Sequence, residues 1–123
     1  MLVVDDSKFM RESIKDTLAY LKINSFIEAK NGIEGVRAFM KYKPSLITID
    51  YEMPGLNGIE TAMKIREIDK NVIMIIVTSI KSNMIAVKSG KIPKLGYITK
   101  PIDPIIVKET IAKLQKEGKL NEH

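Results

Sequence analysis

The chain is expected to form an α/β protein, a parallel sheet with helices on both faces. Three patterns carry that expectation: short apolar runs without polar interruption, amphipathic stretches between them, and polar residues that stop each run. Strands buried on both faces read as continuous apolar runs, and their alternation with helices implies parallel order. Right-handed crossovers then leave few topologies open.

The first strand is Leu2-Val3-Val4, stopped by Asp5-Asp6. Ser7 is placed to cap the helix that follows, in which Met10, Ile14, Leu18 and Leu21 recur on one face. Ser25 to Ala29 is a weaker second strand, ended by the turn signal Asn31-Gly32. A second helix from Ile33 to Tyr42 turns Val36, Phe39 and Met40 inward. Leu46 to Ile49 is the third strand, stopped by Asp50, and a loop from Met53 to Gly58 precedes a helix lined by Ile59, Ala62, Met63 and the stem of Arg66. Val72 to Val77, the most apolar strand, ends at Thr78. Met84 to Lys88 is a short helical segment, and Gly96 to Thr99 a last strand ended by Lys100-Pro101. Val107, Ile111 and Leu114 mark a closing helix that runs into a polar tail, Lys116 to His123. The methionines of the first three helices are expected in the core, and His123, the only histidine, is expected to be inert.

Composition narrows the functional classes. A length of 123 residues fits one domain. The absence of cysteine excludes disulfides, thiolate metal sites and cysteine nucleophiles, and fits a cytoplasmic location. No apolar run approaches the roughly 18 residues of a membrane span, and the first residues lack the pattern of a signal peptide. The net charge of +5 raises the question of nucleic acid. Its lysines are scattered over most segments without a nucleic-acid-binding motif, which argues against direct binding.

The polar stops carry the functional reading. Asp5, Asp6, Asp50, Thr78 and Lys100 each follow a strand, so a parallel sheet brings all of them to its carboxyl edge. Ligands of open α/β sheets bind there, where the strand order reverses; in the order 2-1-3-4-5 that point lies between strands one and three. Three carboxylates in one crevice repel one another unless a cation joins them. Oxygen-only ligation favours a hard ion such as Mg²⁺. With the ammonium of Lys100 and the hydroxyl of Thr78, such a site suits phosphoryl transfer to a carboxylate.

These residues resemble the receiver (CheY-like) domain of two-component response regulators. The likeness rests on Asp5-Asp6-Ser7, Asp50-x-x-Met53-Pro54-x-x-x-Gly58, Thr78-Ser79 and Tyr97-x-x-Lys100-Pro101, and spans nearly the whole chain. It implies a flavodoxin-like (βα)5 three-layer sandwich of order 2-1-3-4-5 and one receiver domain over residues 1–123. It implies Asp50 as phosphoacceptor, and Mg²⁺ held by Asp5, Asp6, Asp50 and the backbone carbonyl of Glu52. Thr78 and Lys100 would contact the phosphoryl group, Thr78 and Tyr97 would switch, and the bond before Pro101 would be cis. A histidine kinase would be the phosphodonor, and a downstream protein would bind the face of the fourth helix, fifth strand and fifth helix. The domain would be a switch rather than an enzyme, catalysing only its own phosphorylation and dephosphorylation.

A stand-alone chemotaxis regulator is the first expectation. The alternative is the receiver portion of a longer regulator with a DNA-binding or enzymatic output domain. A flavodoxin-like cofactor binder would need a phosphate loop where Asp5-Asp6 stands, and a phosphoaspartyl phosphatase would carry its nucleophile after strand one. Two departures from the family pattern stand out: a short first strand, and a connection before Tyr97 that reads as about three residues longer than usual, a loop-length change of low cost. The Glu52 side chain is expected to face solvent, and the Lys91–Gly96 connection to give the partner face a nonstandard surface.

Overall fold

The structure, a computed structural model, describes residues 1–80 and 83–121. Among the described residues ten elements alternate: β1 (Leu2–Val4), α1 (Lys8–Tyr20), β2 (Ile27–Ala29), α2 (Gly32–Tyr42), β3 (Leu46–Asp50), α3 (Gly58–Ile68), β4 (Ile73–Thr78), α4 (Asn83–Gly90), β5 (Leu95–Thr99) and α5 (Pro104–Asn121). The strands form one parallel sheet of order β2-β1-β3-β4-β5. No helix among the described residues is long and apolar enough to cross a membrane.

Side chains alternate across each strand and so feed two cores. Leu2 and Val4 of β1, Ile47 and Ile49 of β3, and Met74 and Ile76 of β4 pack with Phe39, Ile59, Ala62, Ile65 and Ile85 of α2, α3 and α4. Val3, Ile75 and Ile98 point the other way, toward Ile14 and Leu18 of α1 and Val107 and Leu114 of α5. Burying that apolar surface on both faces is the main favourable contribution to folding.

Local chemistry sets the helix starts. Ser7 accepts from the Met10 amide, as expected, and Asn31 caps α2 by accepting from Glu34 N–H. At α3, Asn57 and Glu60 form a reciprocal capping box. Gly58 opens that helix against the end of β3: a Cβ there would lie 2.7 Å from the Asp50 carbonyl oxygen and 2.8 Å from Tyr51 Cα. Both neighbours are backbone and cannot swing aside. Gly58→Ala is therefore expected to cost about 1–3 kcal/mol, the usual penalty of overpacking, measured as a drop in the urea midpoint.

Several expectations are corrected. Strand β2 begins at Ile27 rather than Ser25, although Met1, just before β1, still bonds to the Ser25 carbonyl and the Ile27 amide. Met40 and Met63 are each 52% exposed; Gly35 and Ile65 take the inward positions on their helices. Met10 is only half-buried, so the helix methionines are not core residues. Helix α4 runs on to Gly90 and absorbs residues read as loop. The connection to β5 is only Lys91–Lys94, an ordinary length. Amides of Lys91 and Ile92 bond back to Lys88 and Ser89 carbonyls, and Ile92 packs on the core. The lengthened connection and its nonstandard surface are withdrawn. Helix α5 continues through residue 121, into the segment read as a tail; His123 lies outside the described residues.

Candidate functional site

The sheet edge gathers side chains from four strands. Asp5 and Asp6 follow β1, Asp50 ends β3, Thr78 ends β4, and Lys100 follows β5, where its amide donates to the Thr78 carbonyl at 2.7 Å. Asp5, Asp6 and Asp50 each offer a carboxylate oxygen, all within 4.8 Å of one another. Asp5 and Asp50 are buried, at 0% and 3% exposure, whereas Asp6 is exposed. Lys100 Nζ donates to Asp50 Oδ1 at 3.2 Å and stands 4.0 Å from Glu52 Oε2.

The electrostatics are those of a site short of positive charge. Burial, then the neighbouring Asp5 carboxylate, push the Asp50 carboxyl up to about 7, against the opposing pull of Lys100. Burial likewise raises Asp5, opposed by the Ser7 amide and Lys100. Every polar group of Asp5 but one has a protein partner. Its amide donates to the Ala29 carbonyl at 3.0 Å, its carbonyl accepts from Arg11 Nη1 at 2.7 Å, and its Oδ1 accepts from the Ser7 amide at 2.9 Å. Among the described residues, Oδ2 is buried without a partner. A buried, unpaired carboxylate oxygen beside two further carboxylates is the arrangement a hard, oxygen-seeking cation satisfies. The donor set therefore fits Mg²⁺.

Thr78 is engaged elsewhere than at Asp50. Its hydroxyl donates to Glu52 Oε1 at 2.6 Å, and the same oxygen accepts from the Ser79 amide at 3.0 Å and the Ser79 hydroxyl at 3.1 Å. Glu52 is thus folded across the site, which corrects the expectation that it faces solvent. Burial alone would raise its carboxyl, but these donors, Thr78 foremost, hold it below the usual carboxylate range. Tyr97 is half-buried against the core on the α2–α4 side, and the Lys100–Pro101 bond is cis.

Sequence reading missed two participants: the Glu52 carboxylate and Arg11. Nothing in the sequence distinguishes a Glu52 that folds inward from one that does not. Arg11 left a signal, because it stands at i, i+3 and i+7 spacing with the buried Ile14 and Leu18.

The fold and the site can be set beside known proteins. Residues 1–112 match the family model of the response regulator receiver domain. The chain belongs to this family. It is 33% identical to the chemotaxis protein CheY of Thermotoga maritima over 94% of this chain and 97% of that protein. A receiver-containing relative is the protein-glutamate methylesterase/protein-glutamine glutaminase of Bacillus subtilis, 41% identical over 82% of this chain but only 29% of the relative. Among solved structures, a CheY-like receiver domain protein of Methanospirillum hungatei superimposes with a TM-score of 0.82 at 27% identity, covering 96% of this chain and 94% of that one. CheY in the CheX-CheY-BeF3-Mg complex of Borrelia burgdorferi gives 0.80 at 26%, covering 92% and 86%. Receiver domains are signalling switches that take phosphate from histidine kinases, act on downstream targets and bind Mg²⁺ at an acidic aspartate cluster. The close approach of Asp5, Asp6 and Asp50 is consistent with that chemistry.

Proposed function

We propose that this receiver domain is a cytoplasmic, stand-alone chemotaxis-type switch, phosphorylated on Asp50 by a histidine kinase. The observation that carries the reading is the placement of Asp50: a buried carboxylate between Asp5 and the Lys100 ammonium, at the edge where ligands of such sheets bind. The likeness to the chemotaxis protein CheY supports the chemotaxis role. The receiver portion of a longer regulator is the second reading, and the likeness to the methylesterase fits it without favouring it.

In this account an Asp50 carboxylate oxygen attacks the phosphorus of a phosphohistidine; the P–N bond breaks, and the imidazole leaves with its electron pair and takes up a proton. Asp5, Asp6, Asp50 and the Glu52 backbone carbonyl would hold Mg²⁺, which supplies positive charge to the transferring oxygens. Lys100 adds a point charge on the other side. The new group brings about −1.5 to −2 charges and three acceptors. Thr78 meets one of them by leaving Glu52, and Tyr97 turns into the space that opens. The resulting bias, typically about 1–3 kcal/mol, is read at the face of α4, β5 and α5, where Met84, Ile105 and Ile106 are exposed.

Beryllium fluoride, a tetrahedral mimic of the phosphoryl group, tests this reading. The expected result is a change in Tyr97 resonances that requires Mg²⁺ and beryllium fluoride together; no change, or the same change without Mg²⁺, counts against it. Glu52→Ala keeps the backbone carbonyl but removes the anion that occupies Thr78 and Ser79. Hydrogen bonds to charged groups are worth about 1.5–3 kcal/mol, so beryllium fluoride should bind roughly ten-fold more tightly to that variant. Unchanged affinity would mean that Glu52 does not compete.

A further inference from the structure

We infer that Arg11 is a positioning residue for the cation site, fixing the Asp5 backbone so that its free carboxylate oxygen faces the other two aspartates. The inference rests on the Mg²⁺ reading above and goes beyond it to a residue that touches neither cation nor phosphoryl group.

Arg11 is 7% exposed, on the apolar face of α1 that also buries Ile14 and Leu18. A guanidinium is costly to bury unless its hydrogen bonds are met by well-placed partners. Here Nη1 donates to the Asp5 carbonyl at 2.7 Å and Nε to Glu28 Oε1 at 3.0 Å. Glu28 is itself tethered by Lys15, whose ammonium lies 3.3 Å from Oε2. Its carboxyl is pulled down, against its partial burial, by Arg11 and Lys15. Strand β2 places Glu28 beside Val3 of β1, so the guanidinium bridges α1, β2 and the loop after β1.

The consequence falls on Asp5. Its amide is pinned to β2, its carbonyl to Arg11, and one carboxylate oxygen to Ser7, so that among the described residues Oδ2 is the atom left for a ligand. Two further features make a purely structural role insufficient. An apolar side chain would fill the same space more cheaply, and the shortest bond Arg11 makes goes to a backbone carbonyl whose own side chain lines the site. Groups that orient a metal ligand typically change metal affinity 10–100-fold when removed.

The test is a titration with magnesium chloride, followed by amide NMR, of the wild-type chain, Arg11→Met, Arg11→Lys and Glu28→Ala. Arg11→Met keeps an unbranched stem and is expected to need roughly ten-fold more Mg²⁺ or above for half-saturation. Arg11→Lys should fall between it and wild type, because an ammonium can serve one of the two partners. Without metal, the Ser7 amide should exchange with solvent faster in Arg11→Met, since Asp5 is no longer held. A folded Arg11→Met with wild-type Mg²⁺ affinity and wild-type Ser7 exchange overturns the inference. Should Arg11→Met not fold, Glu28→Ala, which removes a partly exposed brace, decides: a several-fold weakening supports the positioning role, and unchanged affinity overturns it. A wild-type chain that shows no saturable Mg²⁺ binding instead removes the metal reading itself, and this inference with it.

Discussion

Asp50→Asn will make the metal-free protein more stable near pH 8, by as much as about 4 kcal/mol at one pKa unit per roughly 1.4 kcal/mol. The Asp50 carboxyl moves from an ordinary 3.8 to about 7 on folding, driven first by burial and then by Asp5. A carboxyl raised in the folded state binds its proton more tightly there than in the unfolded chain. Below pH 4 both states are protonated and the charge costs nothing. Between about pH 4 and 7 the unfolded chain loses its proton first, so stability falls through that window and stays low above it. Asparagine cannot ionise and escapes the penalty. Urea unfolding at pH 4, 6 and 8 checks this: the gap between variant and wild type should widen with pH. Saturating Mg²⁺ should narrow it, because a cation bound more tightly by the folded wild type, with its third carboxylate, than by the variant stabilises the wild type more. A gap that is the same at all three pH values would mean that Asp50 is not strained by ionisation.

Lys100→Gln is the second large effect. The ammonium stands 3.2 Å from Asp50 Oδ1 and, among the described residues, is the one cationic side chain bonded to that carboxylate. Glutamine offers an amide donor of similar reach but no charge. Removing one preorganised electrostatic contact of this kind costs on the order of 10²–10³ in rate. The initial rate of labelling by a small acyl phosphate with Mg²⁺ should fall by that much, while Mg²⁺ affinity changes less. A loss below ten-fold would place the electrostatic contribution elsewhere in the site.

The framework and the site differ in how far the sequence exposes them. Apolar runs such as Ile73–Val77 have no solvated alternative, so five strands and the residues that end them could be read directly, and with them the meeting of Asp5, Asp6, Asp50, Thr78 and Lys100. Helix faces are harder. Met40 and Met63 satisfy a helical spacing as well as their buried neighbours do, and only the way the helices lie on the sheet turns Gly35 and Ile65 inward instead. The close seat of α2 explains the former: a Cβ on Gly35 would come within 2.9 Å of Val4 Cγ2. Long polar side chains are least legible. Glu52 bends over Thr78 and Ser79 because three donors converge there, and Arg11 turns inward because Glu28 and a free carbonyl await it; both outcomes depend on partners distant in the chain. The connection after α4 was misread for a local reason: Ser89 and Gly90, counted there as loop, are the last two residues of the helix.

Whether Asp50 accepts the phosphoryl group is settled most directly by incubating the wild-type chain and Asp50→Asn with a small acyl-phosphate donor and Mg²⁺, then locating the adduct by peptide mass spectrometry. One phosphoryl group per wild-type chain, mapped to Asp50, lost when Mg²⁺ is chelated and missing from the variant, is the predicted outcome. Equal labelling of both proteins, or an adduct on any other residue of the wild type, would contradict the account at its centre.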